Sequence, residues 1–308
     1  MVKIHTIGGF SEVGKNMVLV ELEDDAFIIE EGFFLPAIVT MQEKERVMTE
    51  RNLKSIQAIP DDSVIEALRG KVCAQFISHA HLDHVGAVPF LSDRYNAPIY
   101  GTSFTIGVLN SLLEDNDIVL KNKIIEINSN TTFYVKGKNT KYKIDFIHIT
   151  HSTVQCSMVA IHTKEGVILF SGDFKLDDTP VIGPKPNYKR LKEIGREGVK
   201  VFIVNSLYSS HDKKTPSESH ARELLRKTLL EIENKHEGMI VTTFASHIAR
   251  LKSIVEFGKK LNREVVFLGR SLDKYSTAAK NAGIAPFLKD IRISKYRRIW
   301  KHRCCFNF

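Results

Sequence analysis

Cysteine is scarce in this 308-residue chain, with four residues at positions 73, 156, 304 and 305. Neither their number nor their spacing gives a disulfide framework or a cysteine-type zinc site, and Cys73, inside an apolar run, reads as core. No apolar run approaches the roughly 20 residues of a membrane span. The opening Met1-Val-Lys-Ile-His5 lacks the apolar stretch of a signal peptide, so a cytoplasmic protein without a membrane partner is expected. Internal repeats and low-complexity linkers are also missing, which excludes repeat arrays and disordered tethers. What is present is 43% hydrophobic content, enough to bury a core in one large or two ordinary domains. The formal charge of +8 suggests a polyanionic partner, but residues 291–308 carry six Lys/Arg and no acid. Outside that stretch the chain is only mildly basic, so charge alone does not argue for nucleic acid.

The informative segment is Ser78-His-Ala-His-Leu-Asp-His-Val-Gly86, directly after the apolar run Val72–Ile77. Extended backbone alternates sides at every residue, so His79, His81 and Asp83 can converge on one side of a strand end, with His84 next as the chain turns. Imidazole nitrogens and a carboxylate oxygen suit zinc or a similar divalent ion. The competing reading is a chance cluster of surface histidines. Two further candidates stand after strand-like runs, His151 and, within Ser171-Gly-Asp-Phe-Lys175, Asp173. Each alone would pass for a turn or capping residue.

Along the first two hundred residues, short β-branched and aromatic runs read as strands at Met17–Leu22, Ala26–Ile29, Val72–Ile77, Thr132–Val135, Tyr142–Ile149, Ser157–His162 and Val167–Phe170, with helical patterns at His84–Tyr95 and Ser103–Glu114. This is mixed α and β with many antiparallel neighbours. After about residue 205 helix and strand alternate strictly. Thr215-Pro-Ser-Glu218 reads as a capping box with proline at the first helical position. It opens a helix with apolar face Ala221, Leu225, Leu229 and Ile232, closed by Gly238. A strand Met239–Phe244, a helix from Ser246 and a strand Glu264–Leu268 come next, which predicts a parallel, doubly wound unit. The domains expected are therefore 1–205, 206–290 and a basic tail, 291–308.

The series His79-Ala-His81-Leu-Asp83-His84, then His151, then Gly172-Asp173 resembles the metallo-β-lactamase fold, an αββα sandwich of α/β class. Gly8-Gly-Phe-Ser-Glu-Val-Gly-Lys-Asn16 and Thr243-Phe-Ala-Ser246 narrow the resemblance to the β-CASP nucleases of RNA, specifically archaeal ribonuclease J, up to about residue 290. The chain opens on its first strand, without the RNA-binding domains that precede the nuclease in related polyadenylation factors. The resemblance implies His79, His81 and His151 on one zinc, Asp83 and His84 on the other, and Asp173 bridging both, with manganese as the alternative metal. It places Asp83 and His84 at the catalytic centre and RNA as the partner. It implies hydrolysis of RNA phosphodiesters, 5′-to-3′ exonucleolytic with endonucleolytic action in some members. The unit after 205 would be a partial β-CASP domain.

Gly9-Phe-Ser-Glu-Val-Gly14-Lys15 matches seven positions of a phosphate-binding loop. Asn16 lacks the hydroxyl required next, and a strand stands where a helix is needed, so the glycines read as a tight turn near the site. His5, His162, His211, His220, His236 and His302 have no convergent partners in sequence, and His148 reads as packing or surface. Lys185, Lys189, Arg190 and Lys192 read as a solvated basic face. Ser246-His247, opening a helix, is a candidate RNA phosphate seat or an ordinary N-cap.

Three departures from the family pattern bear on activity. Asn205 stands where an acid would support a metal-ligating histidine, which removes a charge from its surroundings. Glu30-Glu31-Gly32 stands for Asp-x-Gly. The return segment with two more histidine motifs is missing, and residues 291–308, with Trp300 and two cysteines, read as a frameshifted end or a basic RNA-binding tail. A sandwich without its last strands would leave an open edge, favouring association between copies. On this reading the chain would bind zinc weakly and be a feeble nuclease. A catalytically dead RNA-binding fragment and a small-molecule hydrolase on the same fold are the alternatives.

Overall fold

A computed structural model describes residues 1–43, 47–231, 238–289 and 291–294. The chain divides into two compact units.

The first unit comprises residues 1–149, 155–174 and 187–209. Its first sheet runs in order β1 (Lys3–Gly8), β2 (Met17–Glu21), β3 (Ala26–Ile29), β4 (Val72–Phe76), β5 (Ile99–Gly101) and β6 (Ile124–Glu126). The second runs β11 (Val199–Ile203), β10 (Gly166–Phe170), β9 (Ser157–Thr163), β8 (Lys141–His148) and β7 (Thr131–Lys136). Strands β1 to β3 pair antiparallel and β3 to β6 parallel. In the second sheet only β10 and β11 are parallel.

Period-two alternation sorts the side chains of both sheets. Val18, Val20, Phe27 and Ile29 meet Ile144, Phe146, Val159, Ile161 and Ile168 in one buried cluster between the sheets. Their sequence neighbours Met17, Leu19, Ala26 and Ile28 face outward and pack with Ile38 and Met41 of α1 (Leu35–Glu43) and Leu53 of α2 (Glu50–Ser55). On the far side, Ile147, Met158, Ala160 and Leu169 pack with Leu191 and Ile194 of α6 (Tyr188–Glu197). The result is the αββα sandwich expected from the sequence.

Several expectations for this unit change in the structure. The helical pattern His84–Tyr95 is broken into α3 (Leu82–Val85), α4 (Val88–Leu91) and a 3₁₀ turn at Ser92–Tyr95, with Pro89 at the start of α4; α5 (Ser103–Asp115) is continuous. The basic run 185–192 is not simply solvated, because Arg190 donates to Asp145 Oδ2 at 2.9 Å and to Glu197 and Glu193 on α6 itself. Burial alone would raise the Asp145 carboxyl, but His162, Arg190 and Thr132 together hold it well below the carboxylate range. His162 thus has a partner, Asp145 at 2.6 Å, and so has His5, with Glu21 at 2.9 Å. Strand β11 ends the second sheet, and Val199 and Phe202 on it are 37% and 49% exposed.

The second unit comprises residues 150–154, 175–186 and 210 onward. It holds α7 (Glu218–Leu230), α8 (Ile248–Lys260), α9 (Arg270–Asn281) and the parallel pair β12 (Val266–Leu268) and β13 (Arg292–Ser294). The N-cap of α7 is Ser217, whose Oγ accepts from Ser219 N at 3.1 Å, and not Thr215. Glu218 is therefore the first helical residue. It is buried, and both its carboxylate oxygens accept from Arg250 of α8, at 2.7 and 3.0 Å. Ala221, Leu225 and Leu229 are only half-buried, and Ile232 lies outside the described residues. The expected strand Met239–Phe244 is not formed; Ile240 and Phe244 are 75% and 82% exposed. Its β-branched composition finds no neighbouring strand among the described residues, and an unpaired strand is not stable by itself. The expectations for 295–308, with Trp300, Cys304 and Cys305, fall outside the described residues. No described helix is long and apolar enough to cross a membrane.

Candidate metal centre

Strand β4 is central in its sheet and almost fully buried, so its C-terminal end is a rigid support for the histidine segment. The chain leaves it through a bend at His79 and Ala80, and His81 then caps α3, with His84 N and Val85 N donating to its carbonyl at 3.0 and 2.9 Å. This change from strand to helical turn brings His79, His81, Asp83 and His84 to one place. Gly172, at φ +56°, lies just beyond β10 and has Ser78 Oγ only 2.7 Å from where a Cβ would stand. Glycine is what lets Asp173 come in from the second sheet so closely.

The rings of His79 and His84 lie 4.0 Å apart, and those of His79 and His81 4.9 Å. His79 Nε2 and His81 Nδ1 approach to 3.2 Å. His84 Nε2 faces Asp83 Oδ2 at 3.5 Å and Asp173 Oδ1 at 3.6 Å. Ligand atoms of His79, His81 and Asp173 lie within 4.8 Å of one another, as do those of Asp83, His84 and Asp173 and those of Glu30, His79 and His84. His151 lies in the segment 150–154, which groups with the second unit.

Surrounding groups orient these donors. Ser78 Oγ is hydrogen-bonded to His79 Nδ1 at 2.8 Å, which directs Nε2 toward His81. Glu30 is fully buried, accepts from Ser78 N at 3.1 Å, and places Oε2 3.7 Å from His84 Nδ1. Burial alone would lower the His84 imidazole pKa, but Asp173, Asp83 and Glu30 outweigh it and hold it well above the ordinary histidine range. Burial also raises Glu30, against the opposing pull of His84 and Ser78. Both Oε2 of Glu30 and Nδ1 of His84 are buried without a hydrogen bond. Three carboxylates thus crowd buried imidazoles, an arrangement that a cation at their centre offsets. The donor set, imidazole nitrogen with carboxylate oxygen, fits a divalent metal.

Asn205 does not support a histidine. Its Nδ2 donates to Asp173 Oδ1, and its Oδ1 accepts from Leu207 N at 2.7 Å. An acid at this position would face the Asp173 carboxylate as a like charge, whereas the amide is a donor to it. Ser246 does not open a helix: His247 is the residue before α8, with no side-chain capping bond, and its Nε2 lies 3.3 Å from Glu218 Oε2. The roles of Ser78 and Asn16 were not read from the sequence. Asn16 donates from Nδ2 to Asp83 O at 2.9 Å and comes within 3.3 Å of His84 Nε2; its position at the end of a glycine-rich turn was the available signal.

Residues 11–192 match the model of the metallo-β-lactamase superfamily. Residues 236–306 match that of the ribonuclease J β-CASP domain, a match that runs past residue 290. Ribonuclease J of Pyrococcus abyssi is 42% identical over 287 residues, covering 92% of this chain and 62% of that protein. Ribonuclease J of Methanocaldococcus jannaschii is 38% identical over 294 residues, covering 94% and 65%. That of Helicobacter pylori J99 is 31% identical, covering 96% and 41%. The chain therefore spans less than two thirds of the length of these relatives. A crystal structure of a protein of unknown function from Enterococcus faecalis V583 shares the fold, with a TM-score of 0.62 at 17% identity over 98% of this chain and 75% of that one. With the superfamily model matched across more than half its length, over the sandwich and the ligand cluster, the chain belongs to the metallo-β-lactamase superfamily.

Proposed function

We propose that the chain is the nuclease portion of a ribonuclease of the ribonuclease J type, a hydrolase of RNA phosphodiesters. The observation that carries this reading is the convergence of His79, His81, Asp83, His84 and Asp173 at the end of β4, in a chain whose later part matches a ribonuclease J β-CASP domain. We assign His79, His81 and His151 to one zinc, Asp83 and His84 to a second, and Asp173 to both, with manganese as the alternative. Bound there, such ions supply Lewis acidity at the phosphoryl oxygens and an activated water.

The chain's own groups do the rest. Ser78 Oγ, 2.8 Å from His79 Nδ1, would accept from Nδ1–H and leave Nε2 free for a metal, and the carboxylates of Asp83 and Asp173 would hold the ions beside the imidazoles. The direction of cleavage, 5′ to 3′ with internal cuts as a second mode, rests on the similarity to the family. Ser246 and His247, before α8 in the second unit, are assigned to RNA phosphates. Asn205, which donates to Asp173, lowers the basicity of that ligand relative to an acid in its place.

Cleavage of 5′-monophosphorylated single-stranded RNA by purified protein, with zinc or manganese, tests this reading. The wild type is expected to release nucleotides, and His81→Ala to fall by about 100-fold or more through loss of metal. Equal cleavage by both proteins would place the nuclease activity elsewhere, and its absence from the wild type in both metals would overturn the assignment.

A further inference from the structure

The glycine-rich turn between β1 and β2 matched a phosphate loop only in part, and the chemistry above makes no use of it. Its end packs on the metal centre. Asn16 makes two hydrogen bonds to one atom, the carbonyl oxygen of Asp83: from Nδ2 at 2.9 Å and from its own backbone N at 3.3 Å. The same Nδ2 lies 3.3 Å from His84 Nε2, the nitrogen that also faces Asp83 Oδ2 and Asp173 Oδ1. Asn16 O in turn accepts from Gly32 N at 3.0 Å, and Lys15 N donates to Phe33 O at 2.9 Å. The turn is thereby stitched to the segment that carries Glu30.

Glycines make this approach possible. A Cβ at Gly9, which sits at φ +84°, would fall 2.3 Å from Asn16 Oδ1, and one at Gly14, at φ +100°, 2.9 Å from Phe33 O and 3.4 Å from Asp83 Cβ. The side chains that do project from the turn, Phe10 and Val13, are 52% and 63% exposed. The turn thus spends its buried contacts on placing one carboxamide against the Asp83–His84 peptide.

We propose that Asn16 is a positioning residue of the metal centre. Its carboxamide and backbone N–H hold the carbonyl of the Asp83–His84 peptide, and so set the spacing of the two ligands assigned to one of the ions. The inference rests on the metal-centre reading above but is separable from it. A backbone carbonyl with two donors cannot rotate freely, so the Asp83 and His84 side chains start from a fixed peptide plane. Outer partners of this kind are worth about 10- to 100-fold in metal affinity.

The test is a Co²⁺ titration of metal-free protein followed by visible absorption, with melting of the same proteins in EDTA. Wild type and Val13→Ala, altered on the exposed part of the turn, are expected to titrate alike. Asn16→Ala is expected to bind about 10- to 100-fold more weakly and to show an altered ligand-field band, while melting in EDTA like the wild type. Wild-type affinity and spectrum in Asn16→Ala would overturn the proposal. So would a marked fall in its EDTA melting temperature, which would make Asn16 a fold residue. A wild type that binds no cobalt would overturn the metal centre itself, and this inference with it.

Discussion

Gly32→Ala is expected to destabilise the protein by about 3 kcal/mol, at the upper end for forcing an atom into packed structure. A Cβ at residue 32 would stand 1.6 Å from Asp83 O and 2.1 Å from Asp83 C. These are backbone atoms and cannot swing aside as a side chain could. Neither side of the contact can yield cheaply, because Glu31 N donates to His84 O at 2.9 Å, Gly32 N to Asn16 O at 3.0 Å and Phe33 N to Leu82 O at 2.8 Å. Separating them breaks those bonds and shifts the Asp83–His84 segment relative to Glu30 and Asp173, so the damage falls on fold and metal centre together. Gly70→Ala is the control, since nothing lies within 4 Å of its Cβ position, and surface changes of that kind stay within about 0.5 kcal/mol. Urea unfolding in EDTA reads the difference as a shift of midpoint at constant slope. Equal midpoints for the two variants would show that the approach of Gly32 to Asp83 is not as close as described.

The second large effect concerns acid stability of the second unit. Burial alone would raise the Glu218 carboxyl, but His247 and Arg250 outweigh it and bring it down to about 2. A carboxyl depressed in the folded state contributes stability that is present above its unfolded pKa, near 4.5, and is lost as pH falls through the folded value. At about 1.4 kcal/mol per unit, the contribution is on the order of 3 kcal/mol. It is lost between about pH 4.5 and 2. Asp177, which accepts from Glu218 N at 2.8 Å and lies 3.3 Å from Lys175, is also held low and acts in the same direction. Glu218→Gln isolates the glutamate: its unfolding free energy is expected to fall less steeply than the wild type's across that window. Parallel curves would mean that the Arg250 pair contributes no pH-dependent stability.

Much of the sandwich was legible because its strands bury one residue set inward and the next outward. Val18 and Met17, or Phe27 and Ile28, occupy opposite faces of one sheet, and both faces are covered, so the strands read as apolar runs. The ligand cluster was legible for a local reason, since four of its residues fall between 79 and 84. Glu30 is legible as an acid, but its contact with His84 crosses from β3 to the end of β4 and has no sequence spacing to betray it. Asn16 was hidden in the same way, by a contact with a residue 67 positions away. The second unit was read less well. Met239–Phe244 has strand composition but no partner strand among the described residues, and Ser217 stands as the cap in place of Thr215, beside a Glu218–Arg250 ion pair that a local capping pattern does not anticipate.

The most direct test of a two-ion centre is the metal bound by the protein at equilibrium dialysis against saturating zinc, compared with Asp173→Ala. About two divalent ions per wild-type chain are expected, because two ligand sets share one carboxylate, with a clear loss in the variant, whose ligand would have served both. A wild type that retains no metal, or an Asp173→Ala protein that retains as much, would contradict it.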